Sequence, residues 1–296
     1  MKPEIRVTLF GKFCVRFHDQ VLLDHSPHKV QELLAYLVLH RGKAHPREAL
    51  TELLWGDHDG PNTRKYLRQA LWQLNAGLLA LGRKRCSRLL HADPGWVELV
   101  LDGDIHLDTA ALDSAFSGAR GVRGAGLTPE AARVLLDAVP LYQGDLLEGW
   151  CQDWCRYDRD RFREVYLSIL DKLVDYHEAA GEFEAGIAFG NLALQRDPAR
   201  ERTHRSLMRM LCFSGNRVAA IRQFERCTAV LHQELEVVPE PETLELYARI
   251  RRGNVLDPSL TPANRKLVAN TAPPSLEQLG VVAASARDSR RQGKSR

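Results

Sequence analysis

The chain has 296 residues, with 41 Lys and Arg against 38 Asp and Glu and a formal charge of +3. That length suggests two domains of ordinary size, no apolar run approaches a membrane span and no signal peptide opens the sequence, so a soluble cytoplasmic protein is expected. Six cysteines at irregular spacing exclude a disulfide scaffold. Cys151 and Cys155 stand at i and i+4 but have no second ligand pair, which reads as a helix-face coincidence and not as a metal site.

Ile5 to Val15 reads IRVTLFGKFCV, rich in branched and aromatic residues with a bend at Gly11, and RFHDQVLLD follows with two short apolar runs around Asp19-Gln20. Both signal short antiparallel strands. Ser26-Pro27 supplies an N-cap and a first-turn proline, after which Val30, Leu33, Leu34, Leu37 and Val38 mark a buried helix ending near Gly42. Pro46 opens a second helix with Leu50, Leu53, Leu54 and Trp55 on its apolar face, closed by Gly56. A linker from Asp57 to Pro61 leads to the stretch on which the functional reading turns.

From Gly60 to Ala92 the sequence holds seven Lys or Arg residues and no Asp or Glu. Leu67, Leu71, Leu74 and Leu78 recur at helical spacing, predicting an amphipathic helix over Asn62 to Leu81. Lys65, Arg68, Gln69, Trp72 and Gln73 fall on the opposite side. Solvated helix faces normally mix both charge signs, whereas this one offers cations, amides and an indole, the chemistry that meets phosphates and base edges. Next comes RLLHADPGWVELVL, two apolar runs around the turn Asp93-Pro94-Gly95, a hairpin whose near side carries Arg83, Lys84, Arg85 and Arg88. Three helices, the third basic, followed by a basic hairpin make a helix-turn-helix with a wing. The expected DNA-facing set is Arg64, Lys65, Arg68, Gln69, Trp72 and Gln73 on the recognition helix, with Arg83, Lys84, Arg85 and Arg88 holding phosphates.

Asp102 to Gly126 is mixed, and its glycines argue against a continuous helix, so residues 111–127 are taken as a connector. Thr128-Pro129-Glu130 caps a new helix, and the pattern then stays helical to about Gly253. Gly181 and Gly215 lie 34 residues apart, and the same shift pairs Leu173 with Leu207, Val174 with Met208, Gly186 with Ala220, Ile187 with Ile221 and Ala193 with Cys227. That is the period of tetratricopeptide repeats, with helices after Asp153 and Pro241 closing the ends. Arg200, Arg202, Arg205, Arg209, Arg217, Arg222 and Arg226 are either an acidic partner's dock or ordinary solvated faces. Trp150, Trp154, Tyr157 and Phe162 are expected to pack between the connector and the first repeat. Pro258 to Arg296 has seven basic residues against two acidic and the composition of a disordered tail.

The segments LLAYLVLHRGKAHPREALTELLW and NTRKYLRQALWQLNAGL resemble the OmpR-like winged helix of the SARP family of bacterial antibiotic regulatory activators. In that family a bacterial transcriptional activator domain follows directly, and the likeness spans about residues 4 to 253. The family commonly has Arg-Leu-Arg where this chain has Gln73-Leu74-Asn75, which removes cations from the helix. The resemblance implies an α+β winged helix-turn-helix domain (1–110), a connector (111–127), an all-α tetratricopeptide-like domain (128–256) and a basic tail (257–296). It further implies binding to double-stranded DNA at direct repeats as a head-to-tail homodimer and contact with RNA polymerase, with no membrane association.

No GxxxxGK[ST] phosphate loop, G-x-S-x-G turn, H-E-x-x-H or dinucleotide fingerprint occurs in these residues, so no catalytic residue, metal or cofactor is expected. The rival reading is a protein-interaction adaptor that works through its repeat groove, with a winged helix that does not bind DNA.

Overall fold

The computed structural model describes residues 5–18, 20–24, 26–56, 63–79, 89–101 and 105–253. They form two compact units, Met1–Leu173 and Val174–Arg296. The basic tail expected over 257–296 and the 57–61 linker fall outside the described residues.

The first unit opens with β1 (Ile5–Thr8), β2 (Cys14–Phe17) and β3 (Gln20–Leu22). Alternation places Ile5, Val7, Val15 and Leu22 in the core and turns Arg6 and Arg16 to solvent. The sheet order is β3-β2-β1-β7, in which β7 (Ile105–Leu107) lies parallel to β1 with Ile5 opposite Ile105. Three residues carry too little pattern to announce β7 in advance. Helix α1 (His28–Leu39) follows. Its entry differs from the expected serine cap: Pro27 occupies the N-cap with no side-chain bond, and the Gln31 amide reaches back to the carbonyls of Leu23 and Ser26 instead. Strand β4 (Ala44–Pro46), helix α2 (Arg47–Trp55) and helix α3 (Thr63–Leu78) come next. Then β5 (Leu90–Ala92) and β6 (Trp96–Leu99) form the hairpin, and β4 joins it in the order β4-β6-β5. Leu33, Leu37, Leu50, Leu54, Leu67, Leu74 and Leu99 fill the space among these helices and the hairpin, each 2% exposed or less.

Residues 111–127 do not behave as a spacer. Helix α4 (Asp108–Gly118) occupies half of them, because the helix-breaking glycines begin only at its last residue. Asp108 anchors its start: one carboxylate oxygen accepts the N–H groups of Leu9 and Phe10 at 2.7 and 2.9 Å, and the other accepts the Thr109 N–H at 2.7 Å. Helix α5 (Pro129–Ala138) is capped by the Thr128 hydroxyl, as its sequence predicts. Helix α6 (Arg156–Ala180) closes the unit and runs on into the next.

The aromatic cluster packs elsewhere than expected, against the amino-terminal helices and strands. Trp150 meets Phe13 and His28 with ring centroids 5.8 and 4.7 Å apart. The Trp154 indole N–H donates to Glu32 at 3.0 Å and its ring abuts Tyr36, while Phe162 meets Phe10. Tyr157 points to solvent. The partners on α1 share one stripe, His28, Glu32 and Tyr36 at successive i+4 steps, so that α1 is covered on this side as well as on its leucine side. Glu32 is wholly buried and also pairs with Lys29 at 3.0 Å. Cys151 and Cys155 flank a single turn and do not share a helix face: Cys155 is buried with its thiol donating to the Gln152 carbonyl, and Cys151 is exposed.

The second unit comprises the end of α6, then α7 (Phe183–Arg196), α8 (Glu201–Phe213), α9 (Arg217–Leu235) and α10 (Pro241–Arg252). The 34-residue shift appears in the packing. Gly181 and Gly215 both take positive φ, at 76° and 83°, which ends a helix sharply. Ala193 and Cys227 are both fully buried, as are Met208 and Ala220, and Val174 is nearly so. Gly186 and Gly190 lie where α7 crosses α8, close against Met210 and Leu207.

Candidate nucleic-acid interface

Helix α3 has 16 residues and no carboxylate. Leu67, Ala70, Leu71, Leu74 and Leu78 are buried, and hydrophobic burial of that stripe sets the rotation of the whole helix. The consequence is that Arg64, Lys65, Arg68, Gln69 and Trp72 stand exposed together. The Trp72 indole is 70% exposed, an unusual cost for a soluble helix with nothing bound. Gln73 departs from the expected set: it is half-buried, because at 100° per residue it borders Leu74 and Ala70. Arg64 lies 3.7 Å from Glu48 of α2, both side chains largely exposed, a pairing too solvated to hold the guanidinium back. Near its end α3 passes so close to Leu23 that a Cβ on Gly77 would meet that side chain at 2.1 Å.

The hairpin beyond α3 buries Leu90, Val97 and Leu99. Its turn is locked by Asp93, whose carboxylate accepts the N–H groups of Gly95 and Trp96, each at 2.8 Å. Those two N–H groups hold the Asp93 carboxyl below the usual carboxylate range. The four wing cations Arg83, Lys84, Arg85 and Arg88 lie outside the described residues. Residues 89–101 contain no Lys or Arg, so the described part of the hairpin offers Asp93, Glu98 and a half-exposed Trp96. Trp96 was legible only as a strand residue; its exposure follows from the alternation that buries Val97.

In the second unit most of the arginine set is occupied internally. Arg209 makes a bidentate pair with Glu178 at 2.6 and 2.8 Å, Arg202 pairs with Asp175 at 2.7 Å, and Arg205 bonds Glu240 and Thr243. Arg217 donates to the last carbonyls of α10 at Ile250 and Arg251, and Arg200 faces Asp197. These bonds tie helices to one another and withdraw five of the seven from an acidic partner's dock. Arg222 and Arg226 stand exposed on α9. The buried thiols are inert packing groups, with desolvation pushing Cys227 up to about 12. Among the described residues no group of His, Cys, Asp and Glu is placed to hold a metal, and no helix is long and apolar enough to cross a membrane. A cavity of about 340 Å³ in the first unit is lined by His40, Asp113, Asp158 and Arg161 among others, and there Arg161 is already clamped by Asp113 at 3.0 Å.

Comparison with known proteins adds the rest. Residues 107–251 match the bacterial transcriptional activator domain. The regulatory protein AfsR of Streptomyces coelicolor is 26% identical over 256 residues, covering 86% of this chain and 25% of that protein. The chain thus spans about a quarter of the length of the AfsR proteins it matches. The transcriptional regulatory protein MoaR1 of Mycobacterium tuberculosis is 26% identical over 239 residues, 77% of this chain and 74% of that one. Among solved structures, Mycobacterium tuberculosis EmbR in complex with a low-affinity phosphopeptide superposes with a TM-score of 0.73 at 20% identity, covering 87% of this chain and 68% of that one. That likeness fits a winged helix followed by a helical domain. Residues 107–251 are a bacterial transcriptional activator domain, and the chain around them is similar to transcriptional regulators of the SARP type.

Proposed function

We propose that the chain binds double-stranded DNA in a sequence-specific manner by laying α3 in the major groove, as the third helix of a winged helix, and that it activates transcription from there. One observation carries the reading: a helix free of carboxylates, rotated by its buried leucines so that Lys65, Arg68, Gln69 and Trp72 emerge on one open face. Guanidinium and amide groups can make paired hydrogen bonds to base edges, and the ammonium and the flanking Arg64 suit phosphate oxygens. Gln73 is better placed to brace the edge of the helix than to read a base. Arg83, Lys84, Arg85 and Arg88 supply the phosphate grip of the wing. Two protomers sit head to tail on direct repeats, the helical repeats meet RNA polymerase, and the protein works in the cytoplasm.

Selection of bound fragments from a random duplex pool tests the reading and yields the target site. On that site Arg68→Ala is expected to lower specific affinity by about 1–3 kcal/mol and to relax preference at one base pair, while Lys65→Ala weakens all duplexes alike and flattens the salt dependence. A pool that shows no enrichment at low salt would sink the proposal.

A further inference from the structure

Residues 227–248 contain five glutamates and no Lys or Arg, and they form the corner between α9 and α10 in the second unit. Four large apolar side chains are exposed there: Val238 at 81%, Leu235 at 56%, Val237 at 47% and Leu244 at 46%. All five glutamates are exposed around them. Apolar residues left in water this densely, in a rim of one charge, mark a surface that another molecule covers. The corner is also held rigid. Glu236 takes the left-handed conformation that ends α9, Pro239 is buried, the Glu240 N–H bonds Glu201 at 2.7 Å, and Arg205 clamps Glu240 and Thr243 from below. The apolar groups cannot fold inward, so their exposure is fixed in advance of binding.

We propose that this acidic, apolar corner is the docking surface for a basic protein partner carrying an apolar groove, and that the partner is the transcription machinery. Nucleic acid is excluded as occupant by the charge. The inference rests on the transcriptional reading but not on α3. Its test uses the full chain with RNA polymerase holoenzyme, measured by binding in the absence of DNA and by run-off transcription from a template bearing the selected site. Two variants are compared, the triple change Leu235→Ser, Val238→Ser, Leu244→Ser and the double change Glu234→Lys, Glu242→Lys. Thermal melts serve as the folding control for each, and the double change replaces exposed side chains alone.

Both variants are expected to bind polymerase at least ten-fold more weakly and to drop transcription to its basal level, with affinity for the duplex within two-fold of the parent. Unchanged polymerase binding overturns the inference, as does a parent chain with no affinity for polymerase. Altered sedimentation of the variants with polymerase binding intact overturns it in favour of a second copy as occupant. Failure of the parent to bind DNA, with polymerase binding retained and lost in the variants, supports the corner and removes the role of α3.

Discussion

Asp108 shows how much can hang on one side chain. It is 2% exposed, and burial pushes its carboxyl up to about 6 against the pull of three backbone N–H groups. Removing it strands the N–H groups of Leu9, Phe10 and Thr109, so Asp108→Ala is expected to cost about 2–4 kcal/mol in urea unfolding of the first unit. Its titration and that of the buried histidines run in opposite senses. Between its unfolded value of about 4 and its folded value, Asp108 holds more protons when folded, and its contribution to stability grows as pH falls. His204 is held below the ordinary imidazole range mainly by burial, its two nitrogens engaged by Pro198 and Gln223, and His177 shifts the same way. Folded, these rings hold fewer protons, so their contribution is complete above about pH 6.5 and declines as pH drops below it. The urea midpoint of the second unit should therefore fall between pH 7.5 and 5.5, and His204→Gln should reduce that fall; an equal drop in the variant would refute the assignment. None of this was legible in the sequence, where a lone Asp after a three-residue strand and a lone His on a basic helix carry no signal.

At the scale of elements, the sequence served best where a pattern repeats. Helix α3 was readable because four leucines at helical spacing must turn inward together, which fixes every other side chain on it within one step; Gln73 was misjudged by that one step. The 34-residue repeat was readable for the same reason, since each glycine marks a crossing or a turn. Gly190 lies so near α8 that a Cβ would stand 2.7 Å from a Leu207 methyl. Gly190→Val should overpack that crossing and cost about 1–3 kcal/mol, seen as a lowered melting temperature of the helical unit with the outer face of α3 undisturbed. What could not be read were the fates of isolated charges. Arg202, Arg205 and Arg209 look like an open basic row in the sequence, and only the helix pairing brings Asp175, Glu178 and Glu240 to meet them.

At the scale of the molecule, the family resemblance implied a winged-helix domain ending near residue 110 and a spacer after it. The tryptophans that cancel this division, Trp150 and Trp154, lie well beyond the spacer, and their target on α1 is a stripe of polar and aromatic residues that sequence alone assigns to solvent. A fragment ending at residue 110 would bare that stripe and leave Glu32 without its indole donor. It is expected to melt lower and less cooperatively than a fragment ending at residue 180, and Trp154→Phe in the longer fragment should reproduce part of that loss, about 1–2 kcal/mol. Equal melting of both fragments would show that the amino-terminal helices stand alone.

The parallel pairing of β1 with β7 has one more consequence. The excursion that includes α3 and the hairpin leaves the sheet after β3 at one edge and returns as β7 at the other, where the ladder to β1 serves as a single rail. A pull on the polypeptide downstream of Leu107 is borne by backbone ladders at that rail and by the Asp108 anchor beside it. The outer face of α3 is thereby insulated from tension, and it can be carried from place to place without being bent.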